Sequence, residues 1–227
     1  MRRRWMSSAL SLVAVASLAV ALPQVARAAY VSDPALTATI SVGSGPRGIA
    51  VTPDGAYIYV AETAANDVKV ISTSTNTVTA TIGVGSTPIG LAITPDGTKA
   101  FVANYGTNNV SIISTSSNTV TGTVGVGVQP YGIAVSPDGS SVYVANYNNG
   151  GPPIPNSTVS VISTSSNTVT STISVHKNPW GVVFSPSGTR AYVSNSASDL
   201  VSIIDTTASP PVETGTIAVA DTPAGVA

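Results

Sequence analysis

A unit of about 42 residues recurs along this chain, and this recurrence limits the possible folds more than any other feature of the sequence. Each unit is marked by the tripeptide Pro-x-Gly, which begins at Pro46, Pro88, Pro130, Pro179 and Pro223. The spacings are 42, 42, 49 and 44 residues. A nearly constant period of this length is typical of architectures in which each repeat forms one supersecondary unit and packs on its neighbours.

Each unit contains four short runs in which apolar and polar residues alternate. In the first complete unit these runs read GIAV, YIYVAE, VKVIST and TVTATI. Alternation with a period of two, in runs rich in Val, Ile and Thr, predicts half-buried β-strands. Pro-Asp-Gly or Pro-Ser-Gly follows the first run and supplies the turn. Four strands per repeat predict a blade of a β-propeller, with strands a to d running outwards from the axis.

The second run of each unit also resembles a known repeat. It reads YVAE, FVAN, YVAN and YVSN, at 59–62, 101–104, 143–146 and 192–195. These residues are similar to the YVTN β-propeller repeat of secreted and surface-layer-type proteins of bacteria and archaea. The third position is Ala or Ser instead of Thr, and Glu62 departs further, because it replaces the final Asn. The resemblance implies a propeller of about seven blades in full.

The repeats predict an all-β domain over 35–227, a β-propeller of four-stranded blades. Four complete blades are predicted, at 46–87, 88–129, 130–178 and 179–222. Residues 35–45 match strand d alone, and residues 223–227 match the start of strand a alone. Strands a and d are not neighbours within a blade, so these two partial strands cannot pair with each other. We therefore expect the sequence to be a C-terminally truncated part of a longer propeller.

The first 28 residues predict a signal peptide. Basic MRRRW is followed by an apolar stretch from Ser8 to Leu22, and Ala-Arg-Ala at 26–28 predicts cleavage after Ala28. Residues 29–34 then form a short linker. The apolar stretch is shorter than the roughly 20 residues that a membrane span requires. The sequence therefore predicts a secreted, periplasmic or cell-surface protein with no membrane span after signal cleavage.

Charge and cysteine content exclude several classes of function. Signal cleavage leaves five basic and ten acidic residues, a net charge of −5 without any basic run. Nucleic-acid binding is disfavoured, because it depends on clustered positive charge. The chain has no cysteine, which excludes disulfides, thiolate catalysis and iron–sulfur clusters. We predict no cofactor and no bound metal.

Residues that differ between otherwise similar units are the candidates for function. Propeller topology places the d–a and b–c loops on one face, and most differences lie there: in the middle residue of Pro-x-Gly, at the starts of the b–c loops, and in a seven-residue insertion within 148–158. The candidate ligand face consists of Arg47, Glu62, Tyr105, Tyr131, Tyr147, His176 and Trp180. Aromatic side chains with a polar tip suit glycan or peptide surfaces.

The sequence therefore predicts a non-catalytic scaffold that binds a protein or glycan of the cell envelope. The alternative for the aromatic residues is that they are ordinary exposed loop residues or pack between blades. Two other functions stay open: a lactonase-type hydrolase, for which Glu62 is the candidate inward carboxylate, and a purely structural surface-layer component. Asn104, Asn146 and Asn195 are expected to hydrogen-bond loop backbone, and the aspartates of Pro-Asp-Gly are expected to be turn residues.

Overall fold

The structure is a computed structural model, and it describes residues 38–148 and 157–226. The signal peptide and linker predicted over 1–34 lie outside these residues, as does most of the 148–158 insertion. The chain divides by its internal contacts into two units, 1–37 and 38–227, and the described residues belong to the second unit. Its described residues contain sixteen strands and no helix. The predicted all-β fold class is confirmed.

The sixteen strands form four antiparallel sheets, and each sheet consists of four strands that follow one another in the sequence. The first two sheets contain β1 (Pro46–Val51), β2 (Tyr57–Glu62), β3 (Asp67–Ser72) and β4 (Thr77–Gly83), then β5 (Pro88–Ile93), β6 (Lys99–Asn104), β7 (Asn109–Ser114) and β8 (Thr119–Gly125). The last two contain β9 (Pro130–Val135), β10 (Ser141–Asn146), β11 (Thr158–Ser163) and β12 (Thr168–Ser174), then β13 (Pro179–Phe184), β14 (Arg190–Asn195), β15 (Leu200–Asp205) and β16 (Val212–Ala218). Each sheet is one blade, and each begins at the proline of Pro-x-Gly.

Neighbouring blades pack face to face through the apolar residues of the alternating runs. Tyr59 and Val70 of the first blade pack with Val102 of the second, and all three are buried. Phe101 and its neighbours fill the next interface, between the second and third blades. The first strands β1, β5, β9 and β13 contact one another in sequence order. Strand a of each blade is therefore the inner strand, as predicted.

The partial strands predicted over 35–45 and 223–227 are not formed in the described parts of these ranges. Residues 38–45 and 223–226 have no regular secondary structure. The physical reason is that a strand needs a hydrogen-bonded neighbour, and neither segment has strand b or c of its own blade beside it among the described residues. Val226 nevertheless lies beside Gly181, with its Cγ1 atom 3.3 Å from an ideal Cβ on that glycine.

The Pro-Asp-Gly aspartates form the a–b turns, as expected. In the second blade, the Thr94 hydroxyl and the Thr98 backbone amide donate hydrogen bonds to Asp96 Oδ1, at 2.5 Å and 3.0 Å. Asp54 and Asp138 receive the same pair of bonds in their own blades. These bonds stabilise the charged carboxylate, so the pKa of each of the three aspartates is lowered from 3.8.

We expect the protein to lose stability as the pH falls below about 4. A carboxyl with a lowered folded-state pKa contributes stability above its unfolded pKa, and this contribution disappears as the pH falls through the folded pKa. Asp96→Ser, which copies Ser187 of the fourth blade, is expected to reduce this acid sensitivity. Thermal unfolding of both proteins between about pH 2.5 and 6 measures the difference. A variant with the same acid sensitivity as the parent would contradict the role of Asp96.

Candidate functional site

Each inner strand begins with a break in its pairing, and the middle residue of Pro-x-Gly lies in that break. In the first blade Pro46 pairs with Glu62 and Ile49 pairs with Val60, so two residues of β1 face one residue of β2. The same irregularity occurs at the start of β5, β9 and β13. A β-bulge of this kind interrupts the alternation of side chains and redirects one of them. The second residue of each inner strand, the middle residue of Pro-x-Gly, is therefore not part of the regular alternation of side chains.

The glycine of Pro-x-Gly allows the inner strands to approach one another closely. A Cβ atom on Gly48 would collide with the carbonyl oxygen of Ile89 in the next blade. A Cβ atom on Gly90 would likewise collide with the carbonyl oxygen of Tyr131, and one on Gly132 with the carbonyl oxygen of Trp180. Each of the first three Pro-x-Gly tripeptides therefore lies directly against the next one.

These tripeptides line one shallow depression of about 260 Å³ where the four inner strands begin. Its lining consists of Arg47, Gly48, Ile89, Gly90, Tyr131, Gly132, Trp180 and Gly181. Arg47 is exposed, whereas Ile89, Tyr131 and Trp180 are half-buried. The depression has predominantly apolar and aromatic walls, with one guanidinium group.

The four aromatic residues of the candidate ligand face form one cluster around Tyr131. The ring centroids of Tyr131 and Trp180 are 4.2 Å apart, and those of Tyr131 and Tyr147 are 5.9 Å apart. Tyr147 meets Trp180 edge to face at 5.5 Å. Tyr105 meets Tyr131 edge to face from the other side, at 6.3 Å. The residues come from three different blades, so the cluster exists only in the folded protein.

Backbone hydrogen bonds hold the two kinds of loop together on this face. The amide of Tyr105, in a b–c loop, donates to the carbonyl of Thr87 at 3.0 Å, and the amide of Tyr147 donates to Gln129 in the same way at 3.0 Å. Thr87 and Gln129 immediately precede the prolines of β5 and β9, and both have φ of 55°. Their backbone amides donate hydrogen bonds to the side-chain Oδ1 atoms of Asn66 and Asn108, each at 2.8 Å. The loops thus fix the positions of the tyrosines relative to the inner strands.

Arg47 acts electrostatically on the aromatic cluster. Burial raises the pKa of the Tyr131 hydroxyl above its usual 10.0, and the charge of Arg47 opposes that increase. Tyr131 is therefore neutral at physiological pH and can both donate and accept hydrogen bonds in the depression.

Four residues of the candidate ligand face do not line the depression. Tyr105 and Tyr147 contact its aromatic wall, whereas Glu62 and His176 do not join the aromatic cluster. Glu62 is 1% exposed, its carboxylate lies against Gly43, and its Oε1 atom has no hydrogen-bond partner. His176 is half-buried, with Nε2 located 3.6 Å from Oε1 of Glu213. The structure therefore brings together Arg47 and the four aromatic residues of the predicted face, and it places these two residues elsewhere.

Among the described residues, the side chains of Asn104 and Asn146 bond to other side chains and not to loop backbone, in contrast to the expectation. Asn104 Nδ2 donates to Asn109 Oδ1 at 2.8 Å and to Ser111 Oγ at 2.9 Å. Asn146 makes the corresponding bonds to side chains of β11. Both amides lie at the buried end of strand b, where strand c offers polar side chains. Asn195 does donate to backbone, to the carbonyls of Val193 and Leu200, and also to Ser202 Oγ.

Within residues 38–148 and 157–226, no three side chains of His, Cys, Asp or Glu are grouped so that they could hold a metal ion. No helix in the same ranges has the length and apolar character required to cross a membrane.

The profile of the choice-of-anchor I domain matches residues 62–210, which is more than half of the chain. The chain belongs to this family. As a member of the choice-of-anchor I family it is a bacterial cell-surface or secreted β-propeller protein. The match includes Tyr105, Tyr131, Tyr147 and Trp180 and leaves out Arg47. No curated protein matches the chain.

Solved structures with similar folds support the propeller architecture. Hydrazine synthase of Kuenenia stuttgartiensis has a TM-score of 0.69 and 27% identity, over 79% of this chain and 51% of that chain. A functionally unknown protein of Desulfotomaculum acetoxidans has a TM-score of 0.67 and 20% identity, over 81% and 60%. A proposed 6-phosphogluconolactonase of Bacteroides uniformis has a TM-score of 0.68 and 16% identity, over 79% and 56%. The chain thus spans between about half and three fifths of the length of these structures, and the last two likenesses concern the fold alone.

Proposed function

We propose that this protein is a non-catalytic scaffold, built from YVTN-type blades, that binds a component of the cell envelope through the depression at the start of its inner strands. The observation that carries the proposal is the aromatic cluster at this depression, in which Trp180 and Tyr131 lie 4.2 Å apart. Membership of a cell-surface family supports an envelope component as the ligand.

The fold itself does not require aromatic residues at these positions. The middle residue of Pro-x-Gly is Arg47 in the first blade and Ile89 in the second, and both blades pair their inner strand in the same irregular way as the others. Tyr131 and Trp180 therefore cannot be explained by the needs of the bulge. These aromatic side chains are therefore available for contacts at the surface, because the half-buried rings leave part of their apolar area exposed.

Mutual packing prepares these rings for binding. Tyrosine and tryptophan have few rotatable bonds, and contacts between Tyr131, Tyr147 and Trp180 restrict them before a ligand arrives. Binding then costs little side-chain entropy, so the buried apolar area contributes more fully to affinity. Aromatic residues of this kind carry much of the binding energy at recognition sites.

Trp180→Ala is expected to weaken ligand binding by roughly 30-fold or more, because it removes the largest ring of the cluster. The test is a titration of the secreted protein with soluble peptidoglycan fragments, acidic and neutral cell-wall oligosaccharides, and envelope peptides. Trp180 is the one tryptophan in residues 29–227, so its emission reports binding directly when the protein tested consists of these residues. Calorimetry provides the comparison for the variant.

Tyr57→Ala is the matched control for this titration. Tyr57 is an aromatic residue with 42% exposure, and it lies at the start of β2, at the opposite end of the blade from Glu62. Its loss should leave the affinity unchanged. Equal binding by the parent, Trp180→Ala and Tyr131→Ala would contradict the proposed site. Lactone hydrolysis by the parent protein, lost in Glu62→Gln, would contradict a non-catalytic function.

A further inference from the structure

Among the described residues that line the depression, one is charged, and that residue is Arg47. Its side chain is exposed, and the two ion pairs found in the described part of the chain join other residues, Lys69 with Asp67 and His176 with Glu213. Glu62 faces Pro46 on the neighbouring strand, but its carboxylate is buried beside Gly43 and does not pair with Arg47. Among the described residues no carboxylate pairs with this guanidinium group, which can therefore meet a negative charge from outside.

The other end of the depression has a different chemistry. Arg47 belongs to the first blade, whereas Tyr131 and Trp180 belong to the third and fourth, with Ile89 between them. A ligand that spans these blades meets a cation at one end and two aromatic rings at the other. Aromatic faces favour flat rings with apolar C–H surfaces, and the Tyr131 hydroxyl can hydrogen-bond a polar substituent.

A carboxylated sugar has both of these features in one unit. A pyranose ring offers an apolar face to Trp180 and Tyr131, and its carboxylate matches the planar, two-pronged guanidinium group of Arg47. A neutral sugar would leave Arg47 unused. Phosphate-rich ligands such as nucleotides commonly meet several cations or a helix N-terminus, and the described lining supplies one cation.

A peptide is a weaker fit than a sugar for a structural reason. Peptides often bind by adding a strand to an open sheet edge. Here the edge of each inner strand is interrupted at the depression by the break between Pro46 and Ile49 and its equivalents. The regular row of backbone groups that an added strand requires is therefore absent at these positions.

We propose that the depression binds a uronic-acid saccharide, with the carboxylate on Arg47 and a sugar ring against Tyr131 and Trp180. This inference rests on the proposed function, since it names the ligand class of the same site. The ligand is recognised by one local charge on a protein whose predicted mature net charge is −5. Binding is therefore expected to weaken with added salt for the charged ligand and to stay constant for an uncharged analogue.

The test compares tri-galacturonic acid with its methyl-esterified form, which has the same rings without the charges. Isothermal titration of the secreted protein is expected to show roughly tenfold tighter binding of the acid than of the ester. Arg47→Ala should abolish this preference while still binding the ester like the parent. Arg47→Lys should keep part of the preference, because the charge remains but the two-pronged geometry is lost.

Arg190→Ala is the matched control, since Arg190 is also an exposed arginine but lies at the start of β14, at the far end of its blade from Asn195. It should bind both probes like the parent. Equal affinity for acid and ester in the parent, or a preference that survives in Arg47→Ala, would overturn the uronic-acid inference and leave the proposed site intact.

Failure of the proposed function has a different signature. If neither saccharide binds, but an envelope peptide binds and Trp180→Ala abolishes that binding, the ligand class is wrong and the site is right. If no ligand depends on Trp180, the site itself is wrong. Circular dichroism and thermal unfolding of each variant establish that it is folded before its affinity is measured.

Discussion

Replacing Gly90 by alanine is expected to lower the free energy of unfolding by about 3 kcal/mol. The new Cβ atom would collide with the carbonyl oxygen of Tyr131 and would lie 3.0 Å from Cγ2 of Ile133. The carbonyl belongs to the backbone of β9, so it cannot move without shifting the whole inner strand of the next blade. Urea unfolding followed by circular dichroism measures the change.

Gly125→Ala is the matched control, because Gly125 ends β8 and an added Cβ would have no neighbour within 4 Å. Alanine there should be neutral or raise stability by about 0.5 kcal/mol, since it reduces the freedom of the unfolded chain. Equal effects of the two substitutions would show that the inner strands are not as close as described. Because Tyr131 moves with its carbonyl, Gly90→Ala should also weaken ligand binding, whereas Gly125→Ala should not.

The blades were predictable from sequence because every copy repeats the same local signals. Alternating runs bounded by Pro-Asp-Gly leave one choice of strand and turn, and the predicted blade starts at Pro46, Pro88, Pro130 and Pro179 coincide with the first residues of the inner strands. The ends of the domain were not predictable in this way. The pattern at 35–45 does not give a strand in its described part, 38–45, since pairing depends on a neighbour that the pattern alone cannot provide.

The geometry of the depression was only partly predictable. Differences between copies indicate Arg47, Tyr131 and Trp180 as candidates. The bulge in which these residues lie depends on the register between two strands, and the spacing of residues within one strand does not reveal that register. The glycine that follows each of these residues was the available signal. A glycine in this place in every copy indicates close approach of another backbone.

Differences between copies also drew attention to residues that the structure places elsewhere. His176 replaces a glycine found as Gly85 and Gly127 in the preceding copies, and those glycines lie against Asn104 and Asn146. Its side chain is near Glu213 instead of the depression. A residue that differs between copies can thus reflect altered packing within a blade as well as a binding surface, and sequence alone does not give the direction of the side chain.

Glu62 is part of a polar network inside the first blade that differs from the equivalent network of the second blade. The first blade has Glu62, Asp67 and Lys69 at the positions that hold Asn104, Asn109 and Ser111 in the second. In the second blade, the Asn104 amide donates to both partners. In the first blade, Lys69 pairs with Asp67 at 2.9 Å, and the buried atoms Glu62 Oε1 and Asp67 Oδ1 have no hydrogen-bond partner.

Glu62→Asn is therefore expected to raise the free energy of unfolding by about 2 kcal/mol. The asparagine amide can donate to Asp67 Oδ1 as Asn104 donates to Asn109, so one substitution removes a buried carboxylate and supplies a donor to a second one. The pair of Asp67 with Lys69 is retained. Urea unfolding of the variant and the parent at neutral pH measures the gain.

The reverse exchange in the second blade, Asn104→Glu, should lower stability by about 2 kcal/mol, because it removes the bonds to Asn109 and Ser111 and buries an unpaired charge. Opposite signs in the two blades would show that the local polar network, and not the residue type as such, determines the effect. A destabilising Glu62→Asn would mean that the carboxylate has a role that the network does not explain, and measurement of lactone hydrolysis in that variant would then decide between a structural and a catalytic one.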